Sequence, residues 1–164
     1  MLLGPEALTR AAGARTVTRR FASAGVKASG GIRLEEVAAV LAENGYDVSN
    51  AGENLLRVVE PESGVVVLAA LENNVLFFTI SCLSIKRDQL SGETLSRMLE
   101  TGNGIATSSF RLMPRKDGSV AVTLNNFCKL QDMGAEDRDD LLSCVEFLLV
   151  DVMFARSLLE GATP

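Results

Sequence analysis

Short connections between apolar runs are the feature that most restricts how this chain can fold. Three such runs, Asn54–Val59, Gly64–Leu71 and Val75–Leu83, follow one another with only the turn-forming residues Pro61-Glu62-Ser63-Gly64 and Glu72-Asn73-Asn74 between them. Apolar runs bounded by turn residues predict strands. Connections this short join antiparallel neighbours, because a parallel crossover needs a dozen or more residues. The sequence therefore predicts a three-stranded antiparallel meander.

A second hairpin follows further along the chain. The segments Ile105–Met113 and Ser119–Phe127 flank a turn that ends in Asp117-Gly118, a strong hairpin signal. Val120, Val122 and Leu124 alternate with smaller residues, so this strand is predicted to bury one face.

Apolar residues at helical spacing predict three helices. The first covers Ile32–Asn44, the second is a short helix capped by Ser91 that ends at Gly102-Asn103-Gly104, and the third covers residues 135–160. The predicted fold class is α+β, with an antiparallel sheet of about five strands and the order α-β-β-β-α-β-β-α. A chain of 164 residues is long enough to bury one continuous core. We expect residues 32–164 to form a single domain.

Residues 1–31 differ in charge from the rest of the chain. Residues 1–30 carry five Arg and Lys side chains and one carboxylate, so the net charge of −5 is the sum of a +4 arm and a −9 remainder. The composition fits a basic N-terminal arm or short helix, which we favour. It also fits a removable organelle-targeting peptide over residues 1–21, because Arg19-Arg20-Phe21-Ala22-Ser23 resembles a processing site. The protein is expected in the cytoplasm under the first interpretation and in the mitochondrial matrix under the second.

The sequence gives no indication of catalytic chemistry. It has no histidine, which removes the commonest general base and metal ligand, and it has no phosphate-binding glycine motif. The acidic run 136–140 is better explained by the positive end of a helix dipole than by a metal site. We expect no catalytic residues, no cofactor and no metal.

The charge and the apolar stretches restrict the possible partners, and the cysteines indicate the redox compartment. The acidic body disfavours nucleic acid, and no apolar stretch is long enough for membrane insertion. Cys82, Cys128 and Cys144 each lie in an apolar run without C-x-x-C spacing, which fits free thiols in a reducing compartment.

Two strands are apolar on both faces. Val65-Val66-Val67-Leu68 and Val75-Leu76-Phe77-Phe78 place hydrophobic residues at successive positions, which point to opposite sides of a sheet. The longest helix covers one side, so the other side must be covered by the first helix, the N-terminal arm, a second copy of the chain or a client protein. Complete burial of both sides within the monomer and burial by a partner are equally open alternatives. The candidate partner-binding residues are Leu34, Val37, Leu41, Val66, Leu68, Phe77 and Phe78.

The order of elements resembles the YbjN-like group, which shares the fold of the type III secretion chaperones. The resemblance covers residues 32–160 and rests on the first helix leading into Gly45-Tyr46-Asp47-Val48, the meander, the short helix closing on Gly102-Asn103-Gly104-Ile105, the Asp-Gly hairpin and the long last helix. It implies a non-catalytic, homodimeric protein that acts as a chaperone or adaptor for a partner polypeptide, and the acidic composition of the chain suits this class. The alternative function is a regulatory or structural subunit of a larger protein assembly.

Overall fold

A computed structural model of the chain describes residues 31–161, and the predicted basic arm lies almost wholly outside the described residues. The described part contains three α-helices, six strands and one turn of 3₁₀-helix at Arg87–Gln89. The helices are α1 (Leu34–Glu43), α2 (Gly92–Leu99) and α3 (Ala135–Leu159). The strands are β1 (Asp47–Gly52), β2 (Leu55–Val59), β3 (Val66–Glu72), β4 (Val75–Lys86), β5 (Ser109–Pro114) and β6 (Ser119–Lys129).

The strands form one antiparallel sheet in the order β1-β2-β3-β4-β6-β5. This confirms the predicted α+β class, the meander and the second hairpin. The sheet has one strand more than predicted, because β1 precedes the meander. β1 is an edge strand of sequence Asp-Val-Ser-Asn-Ala-Gly, with Val48 as its one large apolar residue. Its hydrogen bonds to β2 hold it in the sheet.

The helices α1 and α3 pack on the same face of the sheet. α1 lies against β1 and β2, and α3 lies against β4 and β6. Val37 and Leu41 of α1, Val58 of β2, Phe78 of β4 and Leu148 of α3 belong to one buried cluster. In this cluster β4 contributes alternate residues, as expected for a strand with one face in the core. Within residues 31–161, no helix of the chain is long and apolar enough to cross a membrane.

A buried carboxylate fixes the segment before β5. Asp151 of α3 is only 2% exposed, and it accepts hydrogen bonds from the backbone N–H groups of Ala106, Thr107 and Ser108 at 3.0, 3.1 and 3.0 Å. It also accepts from the hydroxyls of Thr107 and Ser108. These donors cannot pair with a neighbouring strand, so the predicted strand Ile105–Met113 begins only at Ser109.

The start of α3 is fixed in a similar way. Asp137 is 4% exposed, and its carboxylate accepts hydrogen bonds from the N–H groups of Gln131, Asp132 and Met133 at 2.7 to 2.8 Å. Burial acts to raise the pKa of Asp137, but these three donors hold it below its ordinary value. The carboxylate therefore ties the preceding loop to the helix in addition to complementing the helix dipole.

The short helix α2 begins at the predicted cap. The Oγ atom of Ser91 accepts a hydrogen bond from the N–H of Thr94 at 3.0 Å. Met98 is buried, whereas the next residue, Leu99, is 81% exposed.

We expect Ser91→Ala to lower the free energy of unfolding by about 1 kcal/mol, because the replacement leaves an N–H group of the first turn without its acceptor. Urea denaturation measures the change. Ser96→Ala, at an exposed position inside the same helix, is the control and is expected to cost nothing. Equal losses in the two variants would contradict the capping role.

Candidate protein-binding surface

The face of the sheet opposite α1 and α3 carries no helix from residues 31–161. We call it the open sheet face. Its positions follow from the alternation of the strands and from the pairing register. They are Asp47, Ser49 and Gly52 on β1, Leu55, Arg57 and Val59 on β2, Val66, Leu68, Ala70 and Glu72 on β3, Val75, Phe77, Thr79, Ser81, Ser84 and Lys86 on β4, Ser109, Arg111 and Met113 on β5, and Ser119, Ala121, Thr123, Asn125, Phe127 and Lys129 on β6.

A row of apolar side chains crosses one end of the open sheet face. Leu55 pairs with Ala70, Ala70 with Phe77, and Phe77 with Phe127, so the four residues lie side by side on four adjacent strands. The rings of Phe77 and Phe127 are 6.1 Å apart between centroids and tilted by 41°. Phe127 is 63% exposed. We call these four residues the aromatic row.

A chain of hydrogen bonds crosses the sheet next to the aromatic row. The hydroxyl of Thr79 donates to Oδ1 of Asn125 at 2.8 Å, and Nδ2 of Asn125 donates to Oγ1 of Thr123 at 2.8 Å. The Thr123 hydroxyl donates in turn to the carbonyl oxygen of Arg111 at 3.3 Å. The middle of the open sheet face is therefore polar, with its hydrogen bonds made inside the sheet.

The open sheet face is richer in cations than the acidic remainder of the chain. Arg57, Arg111 and Lys129 occupy strand positions on it, against the carboxylates of Asp47 and Glu72. The exposed apolar residues are thus bordered mainly by positive charge, although residues 31–164 carry −9 as a whole. Such a border favours a partner segment that combines apolar and acidic side chains.

The structure divides the seven predicted contact residues between the two sides of the sheet. Val37, Leu41 and Phe78 are 0% exposed, because they fill the space between α1, the sheet and α3. Leu34 is half-buried against the same cluster. These four face the core, so the prediction of a contact surface on them needs correction.

The other three predicted residues lie on the open sheet face. Val66 and Phe77 are partly exposed, whereas Leu68 is 7% exposed between its neighbours. Phe127 was missed at the sequence level. The alternation of Val120, Val122 and Leu124 was the available signal, since it places odd-numbered residues of β6 on the opposite face.

The three thiols lie on the core side or beside it. Burial raises the pKa of the Cys82 thiol to about 12, even though the charge of Arg156 acts in the opposite direction. The neighbouring Cys144 and burial both raise the pKa of Cys128. Cys82 and Cys128 therefore stay protonated near neutral pH and are poor nucleophiles. Among residues 31–161, no group of three or more His, Cys, Asp or Glu side chains is arranged to hold a metal ion.

The sheet, the one-sided helix layer and the open sheet face define an α+β protein with a YbjN-like, secretion-chaperone-like fold. Two solved structures share this fold. YbjN from E. coli, described as a proposed transcription regulator, superposes with a TM-score of 0.59 at 11% identity, over 79% of this chain and 93% of that chain. A chain of the heterodimeric complex ExoU-SpcU, from the type III secretion system of Pseudomonas aeruginosa, gives a TM-score of 0.53 at 17% identity, over 76% of this chain and 98% of that chain.

At these identities the likeness concerns the fold. No protein-family model matches the sequence, and no curated protein matches it.

Proposed function

We propose that this protein is a non-catalytic chaperone or adaptor that binds a partner polypeptide through the open sheet face. The observation that carries the proposal is the aromatic row, with Phe127 63% exposed beside Phe77. An exposed aromatic side chain next to further apolar residues is typical of an interaction surface. The heterodimeric complex with the same fold supports a protein as the partner.

The arrangement fits a bound segment that places apolar side chains on the aromatic row. Burying an exposed phenylalanine contributes about 1–2 kcal/mol, which corresponds to about a tenfold change in affinity. The edge strands β1 and β5 offer a further contact, because an extended partner can add a strand to an open edge. Arg57 and Lys129 would then meet carboxylates of the partner.

Affinity capture from the native host, with mass spectrometry, tests this proposal. The bait is the full chain in three forms: wild type, Phe127→Asp, and Leu99→Asp as the control. Leu99 is equally apolar and 81% exposed, but it lies on α2, away from the open sheet face. We expect a polypeptide that the wild type and the control retain and that Phe127→Asp loses.

The purified pair then gives the affinity by calorimetry, with a loss of at least tenfold expected for Phe127→Asp. An unchanged affinity for this variant would contradict the open sheet face as the binding surface. A partner that remains bound in constant ratio through purification would support the regulatory or structural subunit instead. The predicted homodimer is measured on the same samples by light scattering.

A further inference from the structure

A second apolar surface lies on the helix side of the molecule. Val150, Met153 and Phe154 of α3 are 54%, 60% and 51% exposed. Together with Val65 and Glu60 from the β2–β3 connection, they line a groove of about 380 Å³. We call it the helix-side groove. It is separate from the aromatic row, because α3 packs on the opposite side of the sheet.

Negative charge borders the groove. Glu60 lies on its rim, and Glu146 precedes Val150 by one turn of α3. Burial raises the pKa of the Tyr46 hydroxyl, and the nearby charges of Glu146 and Glu60 raise it further. None of the described residues that line the groove is cationic. Its occupant should therefore combine apolar side chains with positive charge.

The N-terminal arm of this chain has that chemistry. Residues 1–30 carry five cations against one carboxylate, and Val17, Arg19, Arg20 and Phe21 lie within five positions. The open sheet face is a poor place for the arm because Arg57, Arg111 and Lys129 would repel it. A symmetric contact between two copies of the groove is also unfavourable, since it would bring like carboxylates together.

The arm is long enough to reach the groove. It joins the described structure at Gly31, and the N–H of Ile32 donates to Oδ1 of Asn74 at 3.2 Å. α1 then runs for ten residues, about 15 Å, towards Tyr46 and the groove. About eight residues of extended chain before Gly31 cover roughly 25 Å. This reach exceeds the length of α1, so a segment that ends eight residues before Gly31 is not kept from the Tyr46 end of α1 by chain length.

We propose that residues 16–23 of the N-terminal arm bind in the helix-side groove, with Val17 and Phe21 on the apolar side chains of α3 and with Arg19 and Arg20 near Glu60 and Glu146. The arm then covers the exposed stripe of α3 and neutralises part of its acidic border. The open sheet face stays free for a partner chain.

Limited trypsin digestion of the full chain tests the proposal, because trypsin cuts after Arg19 and Arg20 only when the arm is released. In Met153→Lys we expect cleavage at these two positions to be about tenfold faster than in the wild type at low salt. Val150→Lys should show the same increase. Glu60→Gln/Glu146→Gln should raise the rate severalfold, and high salt should raise the wild-type rate towards that of the double variant.

Two controls make the measurement specific. Cleavage after Lys116, in the exposed β5–β6 turn, reports on the overall fold and should be equal in all variants. Phe127→Lys alters an exposed apolar residue on the open sheet face and should leave cleavage at Arg19 and Arg20 unchanged.

Equal cleavage of the wild type and both lysine variants of α3 would overturn the proposal. Faster cleavage in Phe127→Lys alone would overturn it in favour of an arm bound to the open sheet face. Protection that depends on protein concentration would overturn it in favour of an arm bound to the groove of a second copy of the chain. Failure of the proposed arm binding is distinguishable from failure of the proposed function, because the function is tested at Phe127 and the arm binding is tested at Val150 and Met153.

Discussion

Phe78→Ala is expected to lower the free energy of unfolding by about 3–5 kcal/mol. Phe78 is 0% exposed at the centre of the sheet, where it meets the helix layer, and it is among the largest fully buried side chains. Alanine removes the ring and leaves a cavity that the surrounding strands and helices can fill only in part. Urea or thermal denaturation monitored by circular dichroism measures the loss.

Phe77→Ala is the matched control, one residue earlier on the same strand. Phe77 lies on the open sheet face and contacts Phe127, so its removal should cost only about 1 kcal/mol. The difference in the loss of unfolding free energy between Phe78→Ala and Phe77→Ala shows directly whether only one face of β4 is buried. Equal losses would mean that both faces of β4 are buried, which would contradict the open sheet face.

Asp151→Ala is expected to cost about 3 kcal/mol for a different reason. The substitution leaves three backbone N–H groups and two hydroxyls of residues 106–108 without their common acceptor. Buried donors without a partner are costly, and hydrogen bonds to a charged group are the stronger kind. Asp139→Ala, at an exposed position of the same helix, should have almost no effect.

The cost of Asp151→Ala should depend on pH. Burial acts to raise the pKa of Asp151, but the Ser108 hydroxyl and the three N–H donors hold it below its ordinary value. The ionised side chain therefore contributes its full stabilisation above the unfolded pKa of about 4, and this contribution is lost as the pH falls through the folded pKa. The stability difference between wild type and Asp151→Ala should be constant above about pH 5 and should shrink in acid. A difference that grows in acid would contradict this role.

The sequence predicted the elements whose hydrophobic pattern is local. The meander, the Asp-Gly hairpin and α3 are confirmed, because apolar spacing and turn residues determine them without help from distant parts of the chain. β1 was missed because Asp47, Ser49 and Asn50 have low strand propensity, and only pairing with β2 holds them. The start of β5 was placed too early because its actual limit depends on Asp151, more than 40 residues away.

The candidate site was only partly predictable for a similar reason. Alternation shows that adjacent residues of a strand face opposite ways, but it does not show which face the helices cover. Phe77 and Phe78 look alike in the sequence, and the packing of α1 and α3 on one side separates them. Val37 and Leu41 were placed on the contact surface because α1 was a candidate cover for the other face, whereas it shares the face that α3 covers.

The hydrogen-bonded chain through Thr79, Asn125 and Thr123 has a consequence for selectivity. Its donors and acceptors are largely used within the sheet, so a bound segment would gain little by offering polar groups there. Discrimination would then depend on the aromatic row, which distinguishes apolar side chains by size and shape. Under the proposed function, such a surface would accept many different sequences, provided that each supplied a bulky anchor at one position and carboxylates near the cationic border.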